Sequence, residues 1–218
     1  MNTAAASSLA ADPCAHGLVR RRRNHARRST QRWIAGSLAL AAVAALALFW
    51  LLVKPFTLQA NTLGINYVEI GPRLGTAGMP TREQFARIAA AGYRVVINLV
   101  PANAIGSHAD EAALVASNGM AYEHLPVDFA RPTAADYARF ATLMKQHGES
   151  RVLVHCQINM RASVFAYLYR VLELGEDPDL AYEGVQRVWQ PSHQWRELIR
   201  ELHTARGRPL PFALEAAA

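Results

Sequence analysis

The sequence contains only two cysteines, Cys14 and Cys156, in 218 residues. That number excludes a disulfide framework and leaves Cys156 without a nearby resolving thiol. Metal-spaced Cys/His clusters are also missing. The eight histidines are scattered and none forms an i, i+4 pair around a glutamate, so neither a structural nor a catalytic metal site is expected. There is no internal repeat. Charge is absent from Trp33 to Val53, a run of 21 residues. Excess positive charge is absent from everything after that run: residues 55–218 hold 15 Lys/Arg against 16 Asp/Glu, while residues 1–54 hold eight against Asp12 alone. The formal net charge of +6 therefore belongs to a tail, and no nucleic-acid-binding face is expected.

The uncharged run, WIAGSLALAAVAALALFWLLV, would span about 30 Å of hydrocarbon as a helix. Trp33 and Trp50 stand near its ends, where interfacial aromatics belong. A signal peptide has an apolar region of only about 7–15 residues and a short basic start. Here the run is longer, and Leu58-Gln59-Ala60 is a poor cleavage site, so a retained transmembrane helix is expected over residues 33–53. Arg20, Arg21, Arg22, Arg23, Arg27, Arg28 and Arg32 precede it; only Lys54 follows before Arg73. The positive-inside rule then keeps the N-terminus in the cytoplasm and delivers the remainder to the far side. The arginine cluster would lie beside anionic lipid headgroups. Five segments follow: a basic, disordered tail at 1–32, the transmembrane helix at 33–53, a linker at 54–64, a compact domain at 65–207 and a C-terminal tail at 208–218.

Within the domain, Tyr67–Ile70 and Arg73–Thr76 read as short strands around the Gly71-Pro72 turn. Thr81 with Gln84 forms a capping-box pattern that opens a helix, and Gly92 stops it. Arg94–Val100 is the strongest strand. A helix capped by Ser107 and closed by Gly119 leads to a strand at Tyr122–Val127. Thr133 with Asp136 caps a helix reaching about Gly148. A strand at Arg151–His155 is followed by a helix at Ala162–Leu174, closed by Gly175. Asp177-Pro178 starts another helix, and Pro191 starts the last, through about Ala205. Strands alternating with helices predict an α/β three-layer sandwich, its mostly parallel central sheet flanked by helices.

The chemistry concentrates at Val152-Leu-Val-His-Cys156-Gln-Ile-Asn-Met-Arg161. A strand that runs through a tight loop into a helix aims several backbone N–H groups and the positive end of the helix dipole into one bowl. A cysteine at its rim beside a guanidinium is favoured as the thiolate, the nucleophilic form. The same donors would hold a tetrahedral oxyanion in line for attack. A lone cysteine after an apolar strand is more often inert packing. Arg161 turns the reading, because a charge at the mouth of a buried strand calls for an anion. His155 either orients the loop and supports the thiolate or is a satisfied core histidine.

The ordered segments Arg73-Leu-Gly-Thr-Ala-Gly-Met-Pro-Thr81, Gly92-Tyr-Arg-Val-Val-Ile-Asn-Leu99, Tyr122-Glu-His-Leu-Pro-Val127 and Leu153-Val-His-Cys-Gln-Ile-Asn-Met-Arg161 give the chain a resemblance. Over about residues 65–205 it resembles bacterial dual-specificity and tyrosine-phosphatase-like proteins, in the branch called beta-lactamase-hydrolase-like phosphatases. The resemblance implies a cysteine-phosphatase-like fold and hydrolysis of phosphoric monoesters without a cofactor or metal. Its bacterial character, joined to the span expected at 33–53 and its arginine flank, gives an inner-membrane setting with a periplasmic domain.

The superfamily places five residues between cysteine and arginine; this chain has four, Gln157 to Met160, as do that branch and many rhodaneses. Asn159 takes the place of a usual glycine and is the non-glycine residue that best tolerates left-handed geometry. Ala162 stands where a Ser or Thr supports the thiolate, with Ser163 one step late, and Val100 replaces a frequent arginine.

On this reading Cys156 is the nucleophile, Arg161 grips two phosphate oxygens, and the N–H groups of Gln157, Ile158, Asn159, Met160 and Arg161 bind the rest. Asp128, just after a strand, is the candidate general acid, with a turn-capping role as its alternative. Asp136 is a rival already committed to a capping box. The aromatic cluster Trp189–Trp195 either lines the pocket or packs the joint between the last helices. A rhodanese-like sulfurtransferase and a phosphate-binding pseudophosphatase stay open beside the phosphatase. So does the substrate, whether protein, lipid or small molecule.

Overall fold

The computed structural model describes residues 63–215. The expected basic tail, the transmembrane helix at 33–53, residues 54–62 of the linker and residues 216–218 lie outside the described residues. Among the described residues no helix is long and apolar enough to cross a membrane.

Five strands form one sheet: β1 Val68–Gly71, β2 Leu74–Ala77, β3 Val95–Asn98, β4 Ala121–His124 and β5 Val152–His155, in the order β1-β2-β5-β3-β4. Only the β1–β2 hairpin is antiparallel; β2–β5, β5–β3 and β3–β4 are parallel. The mostly parallel sheet read from the alternation of strands and helices is what the chain builds. β5 lies in the middle with all four residues buried, as expected of a strand covered on both faces. Its last residue, His155, pairs with both Ala77 and Asn98. Three strands therefore end at one level, and the reactive loop leaves from that edge, the usual place for ligands in open α/β sheets.

Seven helices are described: α1 Gln84–Ala90, α2 Glu111–Ser117, α3 Ala134–Gln146, α4 Met160–Leu172, α5 Pro178–Gln186, α6 His193–Ala205 and α7 Phe212–Glu215. The period-2 alternation of strand side chains splits the core into two layers. Val96 and Leu153 pack against Phe85 and Ile88 of α1 and Val115 of α2. Val95, Ile97, Val152 and Val154 pack with Phe140 of α3, Phe165 of α4 and Trp195 of α6. α4 is the central helix, with ten of its 13 residues buried. Side chains such as Phe165 and Leu168, both fully buried, contribute roughly 1.5–3 kcal/mol each and pin its N-terminus against the end of β5.

Several boundaries differ from the sequence reading for local reasons. β3 ends at Asn98 rather than Val100, because the Asn98 side chain turns back to accept from the Val100 N–H at 2.7 Å. Ser107 does not cap α2. Its hydroxyl donates to the Ala104 carbonyl at 2.8 Å, and the helix starts only after Asp110. Before α1 half a capping box forms: the Gln84 side chain accepts from Thr81 N–H at 2.8 Å, while the Thr81 hydroxyl turns to Glu83. The full box forms at Thr133 and Asp136. The core also reaches past the expected domain limits, since Leu63 and Leu214 are both buried. The Phe212 N–H donates to Asp179 at 2.7 Å, tying α7 back onto α5.

Candidate active site

The loop after β5 is held from beneath by backbone. Cys156 N–H donates to Ala77 O at 3.1 Å, and Met79 N–H donates to Gln157 O at 3.1 Å. Asn66 Nδ2 donates to Ile158 O at 3.2 Å, and Gln157 Nε2 donates to Ile105 O at 2.6 Å. These ties use the loop's carbonyls and side chains. Among the described residues, the N–H groups of Gln157, Met160 and Arg161 donate to no protein acceptor, while Gly78 and Ile158 form an isolated antiparallel bridge. Unsatisfied donors on one turn at a helix N-terminus form a binding site for an anion.

Asn159 is the hinge of this turn. Its φ of 75° is left-handed, a conformation that costs most L-residues roughly 1–2 kcal/mol. Here the side chain offsets that cost, with Nδ2 donating to Asn66 O at 2.6 Å and to Thr76 Oγ1 at 3.1 Å. The residue that replaces a customary glycine thus supplies both the required backbone and its own anchorage.

Cys156 and Arg161 meet in one cavity of about 480 Å³, lined also by Phe129, Gln157, Ile158 and Met160. Cys156 is 1% exposed and so sits at the bottom of the cup. Arg161 is 7% exposed, and its Nε and Nη1 are buried without a hydrogen-bond partner among the described residues. A guanidinium taken out of water and left unpaired is costly, and an anion in the cup satisfies it. Its carbon lies 5.7 Å from the centre of the Phe129 ring, within cation–π range.

The supporting residues have clear placements. His155 is fully buried, with Nε2 2.7 Å from Glu111 Oε1. Asn98 Nδ2 donates to that same oxygen at 3.1 Å. The imidazole is thereby held from the α2 side, the arrangement of a satisfied core histidine that fixes the start of the loop. The Ser163 hydroxyl donates to Met160 O at 3.0 Å and is committed to its own helix. Asp128 is not among the residues lining the cup. Its carboxylate accepts from Ala130 N–H at 2.9 Å and from Arg131 Nε at 3.3 Å. The Ala130 hydrogen bond chiefly, aided by Arg131, holds its carboxyl below the ordinary range. That is the turn-capping geometry, on the segment whose next residue, Phe129, walls the cup. Asp136 sits in its capping box and in an ion pair with Arg139. No group of three His, Cys, Asp or Glu suited to a metal ion occurs among the described residues.

Two contributors were not singled out from the sequence. Phe129 is one; it is a lone aromatic in a loop, and only its position after the expected strand Tyr122–Val127, which in fact ends at His124, hints at a wall. Glu111 is the other. It shares a helical face with Leu114 and Val115, and a carboxylate on such a face signals a buried partner. Trp189 and Trp195 belong to the helix joint, but both also pack on Phe129, with centroids 5.7 and 5.8 Å away.

No protein-family model matches the chain. It is 37% identical to a protein of Shewanella putrefaciens CN-32 described as "Putative phosphatase (DUF442)", over 68% of this chain and 96% of that one, with a TM-score of 0.62. TpbA of P. aeruginosa shares the fold at 21% identity, over 66% of this chain and 92% of that one, with a TM-score of 0.52. A "Beta-lactamase hydrolase-like protein" of Xylella fastidiosa is 36% identical over 113 residues. That match takes in 50% of this chain and 26% of the relative, so the chain spans about a quarter of the length of the curated relatives it matches.

Proposed function

This chain belongs to the DUF442 family, and we propose that it is a membrane-anchored, cysteine-dependent phosphatase that hydrolyses phosphate monoesters through a cysteinyl-phosphate. One observation carries the reading. Arg161 keeps buried guanidinium nitrogens, without a partner among the described residues, in the same cup as Cys156 at the N-terminus of α4. Such a site is shaped for a doubly charged tetrahedral anion above a sulfur nucleophile.

In the first step the Cys156 thiolate attacks phosphorus; the S–P bond forms as the P–O bond to the alcohol breaks. Arg161 and the amides of residues 157–161 hold the equatorial oxygens. The departing alkoxide takes a proton, and Asp128 is the candidate donor once its carboxyl leaves the turn that now holds it. A water then attacks the cysteinyl-phosphate, returning a proton to the Asp128 carboxylate as the O–P bond forms and the S–P bond breaks, which releases orthophosphate and restores the thiolate. His155, fixed by Glu111, positions the strand end from which the nucleophile projects.

The anchor rests on the uncharged run at 33–53 and on the arginines that precede it. They support a single span in the bacterial inner membrane, with the catalytic domain on the periplasmic side and the arginine-rich tail at the cytoplasmic lipid surface. A membrane-impermeant maleimide applied to intact cells should modify Cys156 and spare Cys14. The reverse pattern refutes the topology.

The catalytic test is release of phosphate from p-nitrophenyl phosphate. Cys156→Ser is expected to abolish turnover while retaining the fold. Arg161→Lys is expected to lose most of it, because lysine cannot reproduce the two-pronged grip. Undiminished release by Cys156→Ser overturns the mechanism.

A further inference from the structure

Among the described residues, the exposed large apolar side chains include Ile65, Ile105 and Ile158, which are 53%, 91% and 42% exposed. All three are fastened to the catalytic loop. Ile158 is part of it. Ile105 accepts from Gln157 Nε2 at 2.6 Å. Ile65 accepts from Gly78 N–H at 2.5 Å, and Gly78 is wedged against the loop: a methyl group there would come within 2.9 Å of Ile65 Cβ and 3.0 Å of Gln157 O. Single exposed isoleucines are ordinary on a protein surface. Three tied to one loop, of which Ile158 lines the cup with Phe129 and Met160, make a clustered apolar collar of the kind that marks a binding surface.

The charged neighbours of Phe129 add nothing for a polar partner. Asp128 and Arg131 pair with each other at 3.3 Å. A phosphopeptide flanking the cup would meet isoleucine side chains, whereas a hydrocarbon chain would bury them. In the sequence, nine residues separate the apolar run ending at Val53 from the buried Leu63, a contour length of about 35 Å, short enough for a substrate held in a bilayer.

We infer, resting on the phosphatase reading and its anchor, that the substrate is a lipid phosphate monoester. The cup takes the phosphate, and the Ile65–Ile105–Ile158 collar takes the start of the hydrocarbon tail. Cleavage breaks the P–O bond to the lipid. The lipid alcohol, having taken up a proton, stays in the bilayer, while hydrolysis of the cysteinyl-phosphate sends orthophosphate into water.

The test uses the full chain reconstituted in phosphatidylcholine vesicles containing dioleoyl phosphatidic acid. Glycerol 3-phosphate, p-nitrophenyl phosphate and a phosphotyrosine peptide are assayed in parallel. Phosphatidic acid is expected to exceed glycerol 3-phosphate in kcat/KM by about tenfold or more, and the Ile65→Ser/Ile105→Ser double variant to lose about tenfold on phosphatidic acid alone. Its hydrolysis of p-nitrophenyl phosphate should not change. Turnover of the aryl phosphate or the peptide without turnover of phosphatidic acid overturns the lipid inference and leaves the phosphatase standing. An equal loss on every substrate assigns the collar a structural role and also overturns it. Release from no ester at all overturns both.

Discussion

The Phe129 ring lies 5.7 Å from the guanidinium carbon of Arg161 and is braced from behind. Trp189 and Trp195 pack on it, and Trp195 Nε1 donates to its backbone carbonyl at 3.0 Å. The aromatic wall thus orients a cation whose Nε and Nη1 have no hydrogen-bond partner among the described residues. A guanidinium over a partly desolvated ring gains about 0.5–2 kcal/mol, enough to hold one rotamer in the absence of an anion.

Phe129→Leu keeps the apolar volume and removes the ring face. Inhibition by inorganic phosphate is expected to weaken by about three- to tenfold, with a matching fall in kcat/KM and little change in Tm. Unaltered phosphate inhibition would show that the ring does not orient Arg161.

Asn159 combines left-handed backbone with two side-chain hydrogen bonds. Asn159→Gly keeps the backbone and loses the bonds, each contributing about 1 kcal/mol. Asn159→Ala loses the bonds and adds roughly 1 kcal/mol or more of backbone strain. Urea denaturation should therefore rank the proteins wild type, Gly, Ala, with phosphate release following the same order. Equal stability of the Gly and Ala variants contradicts a strained hinge at this position.

Much of this site was legible because its signals are local. The run Val152–Val154 reads as a buried strand from its apolar character, and the following apolar pattern reads as a helix. The Cys156-to-Arg161 spacing places the charge on the first turn of that helix. The capping box at Thr133 and Asp136 needed only two residues. What was not legible depends on contacts between distant segments. Glu111 is 44 residues from His155 in sequence, and nothing near either residue names the other. Ser107 carries the chemistry of a cap, but the carbonyls of Ala102 and Ala104 claim its hydroxyl first. Phe129 became a wall only because α6 carries Trp195 to its carbonyl.

His203 gives the fold a pH dependence remote from the cup. It is 1% exposed, with Nε2 2.9 Å from Tyr167 OH and Nδ1 2.7 Å from Pro209 O. Burial, the largest influence, lowers its pKa from the ordinary 6.5. The unfolded chain then binds a proton at a higher pH than the folded one. Stability is therefore fully present above about pH 6.5 and declines as the pH falls from there toward the depressed folded value. Thermal melts at about pH 7.5 and pH 5 should show a larger drop in Tm for the wild type than for His203→Gln. Identical drops would mean that other groups govern the acid sensitivity.

Asp128 is tested by its leaving group. In the turn it accepts from Ala130 N–H and Arg131, and its lowered pKa favours the carboxylate, the form that cannot donate a proton. To act as the acid it must leave those partners when substrate fills the cup and enter the less polar surroundings beside Phe129. Asn keeps the acceptor for Ala130 but has no proton of carboxyl acidity to give. Asp128→Asn is accordingly expected to cost about 10²–10⁴-fold in kcat on an alkyl phosphate, whose alkoxide needs protonation. On p-nitrophenyl phosphate, whose phenoxide leaves unaided, the loss should be far smaller. A small and equal loss on both esters would confine Asp128 to its turn and send the search for the acid elsewhere along the rim.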